Sequence, residues 1–321
     1  MTVTCVAFTR SLPASSTLRE LPIEAAATGH LDRRYVAGGR IRTGRLPSLA
    51  VDFRGRPITV VSRALQHRRT DLIDLVLEID DPEAATYLAA FDRTGPAVAA
   101  ELFRYGDDRH SVAALHDAIA ADLLGTDGRA GRATPFRRVV FSRGLEVPDG
   151  AVPGLLSGHH LTVGVDRLDV HADTTVLADE RLGYEMVVGL TARSVVLVDG
   201  LTQAVDELAL AAGDPRTDVR TVLDQAAETQ RRGVVIQREV TAHRVLAPEL
   251  APVHALVDGV MGIGEGGRRE LERSMDALSR LTESLLARSV EERSQVWERY
   301  GLAALLLLAV LTIIVLVQTF A

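Results

Sequence analysis

The chain contains no lysine. All 36 of its Lys and Arg residues are Arg, against 43 Asp and Glu. A Schiff-base lysine, the lysine of a phosphate-binding Walker loop and a Ser–Lys catalytic pair are therefore excluded. Cys5 is the only cysteine, so no intramolecular disulfide and no cysteine-rich zinc site can form. A lone thiol among apolar neighbours reads as a buried structural group. Aromatic residues make up only 4% of the chain, too few to interleave with arginine on a single-strand nucleic-acid face. No G-x-S-x-G, H-E-x-x-H or C-x-x-C motif occurs. The first 25 residues lack a basic start followed by a continuous apolar run, so no secretory signal is expected.

What remains is a globular composition, 47% hydrophobic and 25% charged with a net charge of −7. Residues 1–70 hold twelve Arg against four acids, and residues 71–128 hold three Arg against thirteen acids. A basic surface matched by the acidic segment accounts for this asymmetry, and nucleic acid is not an expected partner.

The last 21 residues differ from the rest. Between Gly301 and Val317 only Gly301 and Thr312 are not Ala, Val, Leu or Ile, and no charge intrudes. That length predicts a membrane-spanning helix with Trp297, Tyr300 and Phe320 at its edges. Arg288, Arg293 and Arg299 precede it and nothing basic follows, which places the N-terminal body in the cytosol of a single-pass, tail-anchored protein at the cell membrane. The lipid bilayer is then one expected partner. No ionisable group lies in the stretch, which excludes an ion relay through one copy.

Ahead of this tail, Arg268 to Arg299 runs without Pro or Gly. Leu271, Leu278 and Leu285 stand a heptad apart, with Met275, Leu281 and Leu286 completing an apolar stripe. The stripe predicts a stalk helix that packs on the body, on a protein partner or on a second copy.

The organisation expected is a mixed α+β or α/β body, rich in antiparallel strands at its N-terminal end, with a helical neck and one C-terminal transmembrane helix. Residues 1–128 form a first strand and helix region, 129–213 a strand-rich region ending in a helix, 214–267 the neck, 268–299 the stalk and 300–320 the anchor. Strands are expected at Thr2–Phe8, Tyr35–Arg42, Leu49–Phe53, Ile58–Ser62, Leu72–Ile79, Phe136–Ser142, Leu161–Val165, Leu168–Ala172, Met186–Leu190 and Ser194–Val198. Asp81-Pro82 reads as helix cap and first residue. That helix breaks at Gly95-Pro96 and resumes to Tyr105, and another helix follows over Ser111–Leu124.

Three constellations are candidate sites. The glycine-rich stretch from Gly259 to Gly267 leads into Arg268 and Arg269, which offer an anion or lipid headgroup two guanidiniums. Asp169, His171 and Asp173 share one face of a strand, a donor set suited to a divalent metal. Asp80 and Asp199 end apolar segments, where carboxylates can hold Mg²⁺. No cofactor is expected. The body is read as a sensor, scaffold or effector module rather than an enzyme, with an oligomeric membrane-perturbing or channel-like effector and a membrane-attached metal-dependent enzyme as alternatives. An α/β body, a neck and a terminal apolar helix are similar in layout to CorA-type channels. Those carry a second membrane helix and a Gly-Met-Asn signature, and this chain has neither, so no family is assigned.

Overall fold

Two apolar faces set back to back organise the central sheet. The computed structural model describes residues 1–13, 41–91, 100–124, 136–214, 217–241 and 250–320, less 68–71 and the side chains of 41–44, 66–67, 124, 179, 239, 241 and 311–320. Its eleven strands are β1 (Thr2–Pro13), β2 (Ile41–Arg45), β3 (Leu49–Phe53), β4 (Arg56–His67), β5 (Leu72–Ile79), β6 (Phe103–Tyr105), β7 (Asp108–His110), β8 (Arg137–Arg143), β9 (Val152–Pro153), β10 (His159–Val163) and β11 (Arg167–Ala172). Six helices accompany them: α1 (Pro82–Ala89), α2 (Val112–Leu124), α3 (Ala178–Gly213), α4 (Val219–Thr241), α5 (Ala251–Met261) and α6 (Gly264–Phe320). The sheet order is β7-β6-β3-β4-β5-β1-β8-β11-β10-β9, with β2 paired to β4. Its pairs are antiparallel except β8 with β11.

The chain divides into two compact units, Met1–Asp199 with Val235–Arg269, and Gly200–Val234 with Glu270–Ala321. In the first, alternation along β5 assigns both faces. Ile73, Leu75, Leu77 and Ile79 pack with Val6 and Phe8 against Leu88 of α1 and Leu115 and Ile119 of α2. Val76 faces the other way, joining Cys5, Ala7 and Phe141 against Val187 and Val188 of α3 and Val253 and Val257 of α5. The result is a three-layer arrangement, helices on both faces of one sheet.

Caps fix α1. Asp81 accepts the Ala84 N–H at 2.9 Å, and Pro82 stands in the first turn. At the other end, the buried Arg138 donates to the Leu88 and Phe91 carbonyls, and Arg167 donates to that of Ala89 at 2.6 Å. Carbonyls left unpaired there would each cost about 1–3 kcal/mol.

Two expected element types are corrected. Met186–Leu190 and Ser194–Val198 are not strands but parts of α3. Short apolar runs do not distinguish a strand from a buried helix, and the polar residues decide. Arg181, Glu185, Gly189 and Arg193 recur every fourth residue, a helical stripe. Phe103–Tyr105 is strand β6 rather than the end of a helix, because Phe103 pairs with Phe53 across β3. Residues 35–40 and 92–99, on which a predicted strand and the Gly95-Pro96 break fall, lie outside the described residues.

In the second unit the heptad leucines are buried: Leu271, Leu278 and Leu285 are 3% exposed or less. Thr202 meets Ser274 through their hydroxyls at 3.1 Å, and Gly233 gives Met275 room that a larger side chain would fill. The stripe seals a helical core.

The expected transmembrane helix is overturned. Among the described residues, no helix is long and apolar enough to cross a membrane. Up to Arg299, α6 carries Arg, Asp or Glu along most of its length. The single-pass, tail-anchored architecture falls with it. So do the tethered module, the membrane-perturbing oligomer and the membrane-attached metal enzyme, each of which required that span.

Candidate functional site

The hairpin between β3 and β4 turns in two residues, Arg54 and Gly55, with φ of 55° and 89°. Two successive positive φ values make the type I′ turn that matches strand twist, and its first position favours Asn, Asp or Gly. Arg54 is the only non-glycine residue with positive φ among the described residues. An arginine in that conformation costs about 1–2 kcal/mol. Asp52 accepts the Gly55 N–H at 2.6 Å, and the Arg54 N–H donates to the Leu102 carbonyl at 3.0 Å, so the turn is held from both sides. The Arg54 guanidinium lies 4.5 Å from the centre of the Tyr87 ring, a cation–π contact that fixes the direction of the side chain.

The strands beside this turn carry a second irregularity. Asp52 on β3 stands opposite Arg104 on β6, and Arg104 stands opposite Arg109 on β7. Directly opposed residues point to the same face. The alternate row, Phe53, Phe103 and His110, turns to the core, where the two phenyl rings lie 5.4 Å apart. Arg54, Arg104 and Arg109 line one cleft of about 540 Å³ with Asp52, Gly55, Glu101, Leu102, Phe103 and Asp107. None of the three arginines forms an ion pair among the described residues, whereas nearby Arg56 is bound to both Asp81 and Glu83. Two like charges opposite one another are destabilising, and a bound anion reverses that sign. The described lining supplies guanidinium donors and carboxylate acceptors, a set able to bind a charged ligand.

The residues singled out in the sequence do not converge. Asp169 is held by Arg167, whose Nε donates to both carboxylate oxygens at 2.7 and 2.8 Å. His171 is buried, with Nδ1 2.9 Å from the Ser142 hydroxyl and Nε2 3.4 Å from that of Thr162. Asp173 is exposed beyond the end of β11. No group of three or more metal-ligating side chains occurs among the described residues. Asp80 is exposed at the end of β5, and Asp199 is exposed within α3 rather than at a strand end. Arg268 bonds Asp258 at 3.3 Å, and Arg269 bonds Glu265 at 3.1 Å. Gly264, with φ of 49°, takes the backbone from α5 into α6, so the glycines serve the turn between those helices. Trp297 and Tyr300 are exposed on α6, and the Phe320 side chain lies outside the described residues.

Two polar clusters escaped sequence reasoning. The Tyr184 hydroxyl accepts the Leu155 N–H at 2.9 Å and therefore donates its own proton to His159 Nδ1, also at 2.9 Å. Burial lowers the basicity of His159, in keeping with an accepting ring nitrogen. The second cluster lies between the sheet and α3. Asp74 accepts from Ser11 at 2.6 Å and from Arg193 at 2.5 Å. Glu78 is paired with Arg63 at 2.5 Å and Arg181 at 3.5 Å. Burial raises the pKa of Asp74 against the pull of Arg193 and Ser11. The signal was present in LIDLVLEI, where Asp74 and Glu78 interrupt the apolar run at every fourth position, the same period as the α3 stripe.

No family model, curated protein or solved structure matches this chain.

Proposed function

We propose that the chain is a ligand-binding module and that its Arg54–Arg104–Arg109 cleft takes a small phosphate-bearing molecule. The observation that carries this reading is the Arg104–Arg109 pair, opposed across two strands with no carboxylate in ion-pair range among the described residues and joined in one cleft by Arg54. A phosphate accepts several guanidinium hydrogen bonds at once, and charge-assisted bonds are the strongest available here. The volume is that of a small-molecule site. Glu101 and Asp107 on the same wall accept hydrogen bonds, which favours a ligand that carries hydroxyl or amino donors beside its phosphate.

Calorimetric titration with inorganic pyrophosphate and with ribose 5-phosphate tests this. Saturable one-to-one binding of either, weakened by added salt because these arginines are solvent-exposed, is expected. Heats that do not saturate with both ligands, at low salt, would overturn the reading.

A further inference from the structure

The buried seam between β5 and α3 contains a carboxyl group that its surroundings do not satisfy. Glu185 is fully buried, and both of its carboxylate oxygens lack a hydrogen-bond partner among the described residues. Glu78 faces it from β5, itself 1% exposed and within hydrogen-bonding reach. The other groups around the pair come from each packed element. Cys5 lies on β1 beside Arg181, Arg63 on β4, and Arg181 on α3. Asp74 on β5 and Arg193 on α3 form the next ion pair along the seam. Arg63 and Arg181 are both engaged by Glu78, one on each oxygen, and Glu185 forms no ion pair among the described residues.

Two ionised carboxylates placed together in an apolar layer repel one another, whereas one proton between them converts repulsion into a hydrogen bond. We propose that Glu78 and Glu185 share a single proton, and that loss of this proton loosens the Ala178–Asp199 part of α3 from the sheet. The pair is then a proton-dependent latch on that helix segment, and it operates independently of the arginine cleft.

The electrostatics agree with the geometry. Burial, then the charge of Glu78, holds the Glu185 carboxyl well above its ordinary value of 4.5, against Arg63 and Arg181. Above pH 4.5 the folded chain therefore keeps a proton that the unfolded chain has released. The latch is complete below that pH and weakens as pH rises toward the folded value.

Infrared difference spectroscopy of the full chain tests the shared proton directly. The wild type is expected to show a protonated-carboxyl carbonyl band at pH 7 that vanishes on titration to alkaline pH. Glu185→Gln removes the band by leaving Glu78 alone with its arginines. Glu78→Gln removes it as well, because Glu185 then ionises beside Arg63 and Arg181. A wild type without the band overturns the proposal even if neither variant folds, and a band that survives in Glu78→Gln assigns the proton to Glu185 alone and overturns sharing. Hydrogen exchange reads the latch. Amides of 181–193, corrected for intrinsic rates, are expected to exchange at least about tenfold faster once the band has titrated away, and an unchanged rate contradicts the loosening.

Discussion

Arg104 and Arg109 face one another across β6 and β7, and neither has a carboxylate within ion-pair distance among the described residues. The chain is not short of acids nearby: Glu101, Asp107 and Asp108 flank the pair in sequence. Asp52, opposite Arg104, is committed to the Gly55 N–H. Three guanidiniums and three carboxylates thus line one concave place on the sheet with none of the arginines in a direct ion pair among the described residues, beside a turn that holds Arg54 in an unfavourable backbone conformation. Each feature costs stability, and a bound anion offsets both.

The turn gives a prediction of opposite signs. Arg54→Asn puts a residue suited to left-handed backbone into the type I′ position. It removes the φ penalty and loses the stack on Tyr87, worth about 0.5–1 kcal/mol at an exposed site. Urea denaturation is expected to show unchanged or higher stability, by up to about 1 kcal/mol. Pyrophosphate affinity in the same variant is expected to fall roughly tenfold, through loss of one charge-assisted bond. A variant that is less stable with intact affinity would mean that Arg54 serves the fold alone.

Glycine substitutions separate packing from helix propensity within α3. At Gly200 an added methyl meets nothing within 4 Å, and at Gly189 it comes to 3.1 Å from Asp74 Oδ2 and 3.4 Å from Leu65 Cδ1. Asp74 cannot yield, since Ser11 and Arg193 hold it. Gly200→Ala is expected to stabilise by about 0.5–1 kcal/mol. Gly189→Ala is expected to destabilise by about 1 kcal/mol or more despite the same gain in propensity. Thermal melts of the two variants decide this, and equal shifts of the same sign would contradict the seam geometry.

His116 sets the acid limb of the stability profile. It is fully buried between the carbonyls of Val112 and Phe8, with ring contacts at 3.0 and 3.1 Å. Burial is the main cause that lowers its pKa to about 4, and the backbone carbonyls pull the other way. The unfolded chain binds a proton near 6.5 that the folded chain refuses until about 4. Stability from this group is therefore complete above pH 6.5 and is lost as pH falls to 4, by a few kcal/mol at most. Denaturation midpoints across this window should lose most of their slope in His116→Gln. A slope retained in full would assign acid sensitivity to carboxylates instead.

Much of the fold was legible because local chemistry and tertiary packing agree. Asp81-Pro82 caps α1 as read, and β3 and β5 begin and end where alternation and turn residues place them. The 186–198 stretch was misread because β-branched apolar runs look alike in strand and helix. Only the partners of Arg181, Glu185 and Arg193, distant in sequence, resolve it. The tail was misread because an apolar run with aromatic and arginine flanks meets the sequence criteria for a span, whereas no helix among the described residues is long and apolar enough. The Arg cleft was invisible for a different reason. Arg54, Arg104 and Arg109 are ordinary surface residues until strand register brings them together, and register between β3, β6 and β7 has no local signature.

The central claim is that these three guanidiniums bind one phosphate-bearing molecule. Phosphorus NMR of pyrophosphate titrated with the protein tests it most directly. The wild type is predicted to shift and broaden the resonance saturably. The Arg104→Ala/Arg109→Ala pair should weaken this by at least about a hundredfold, since two charge-assisted bonds of roughly 1.5–3 kcal/mol are lost, while the melting temperature holds or rises. An identical titration curve for the double variant and the wild type would contradict the account.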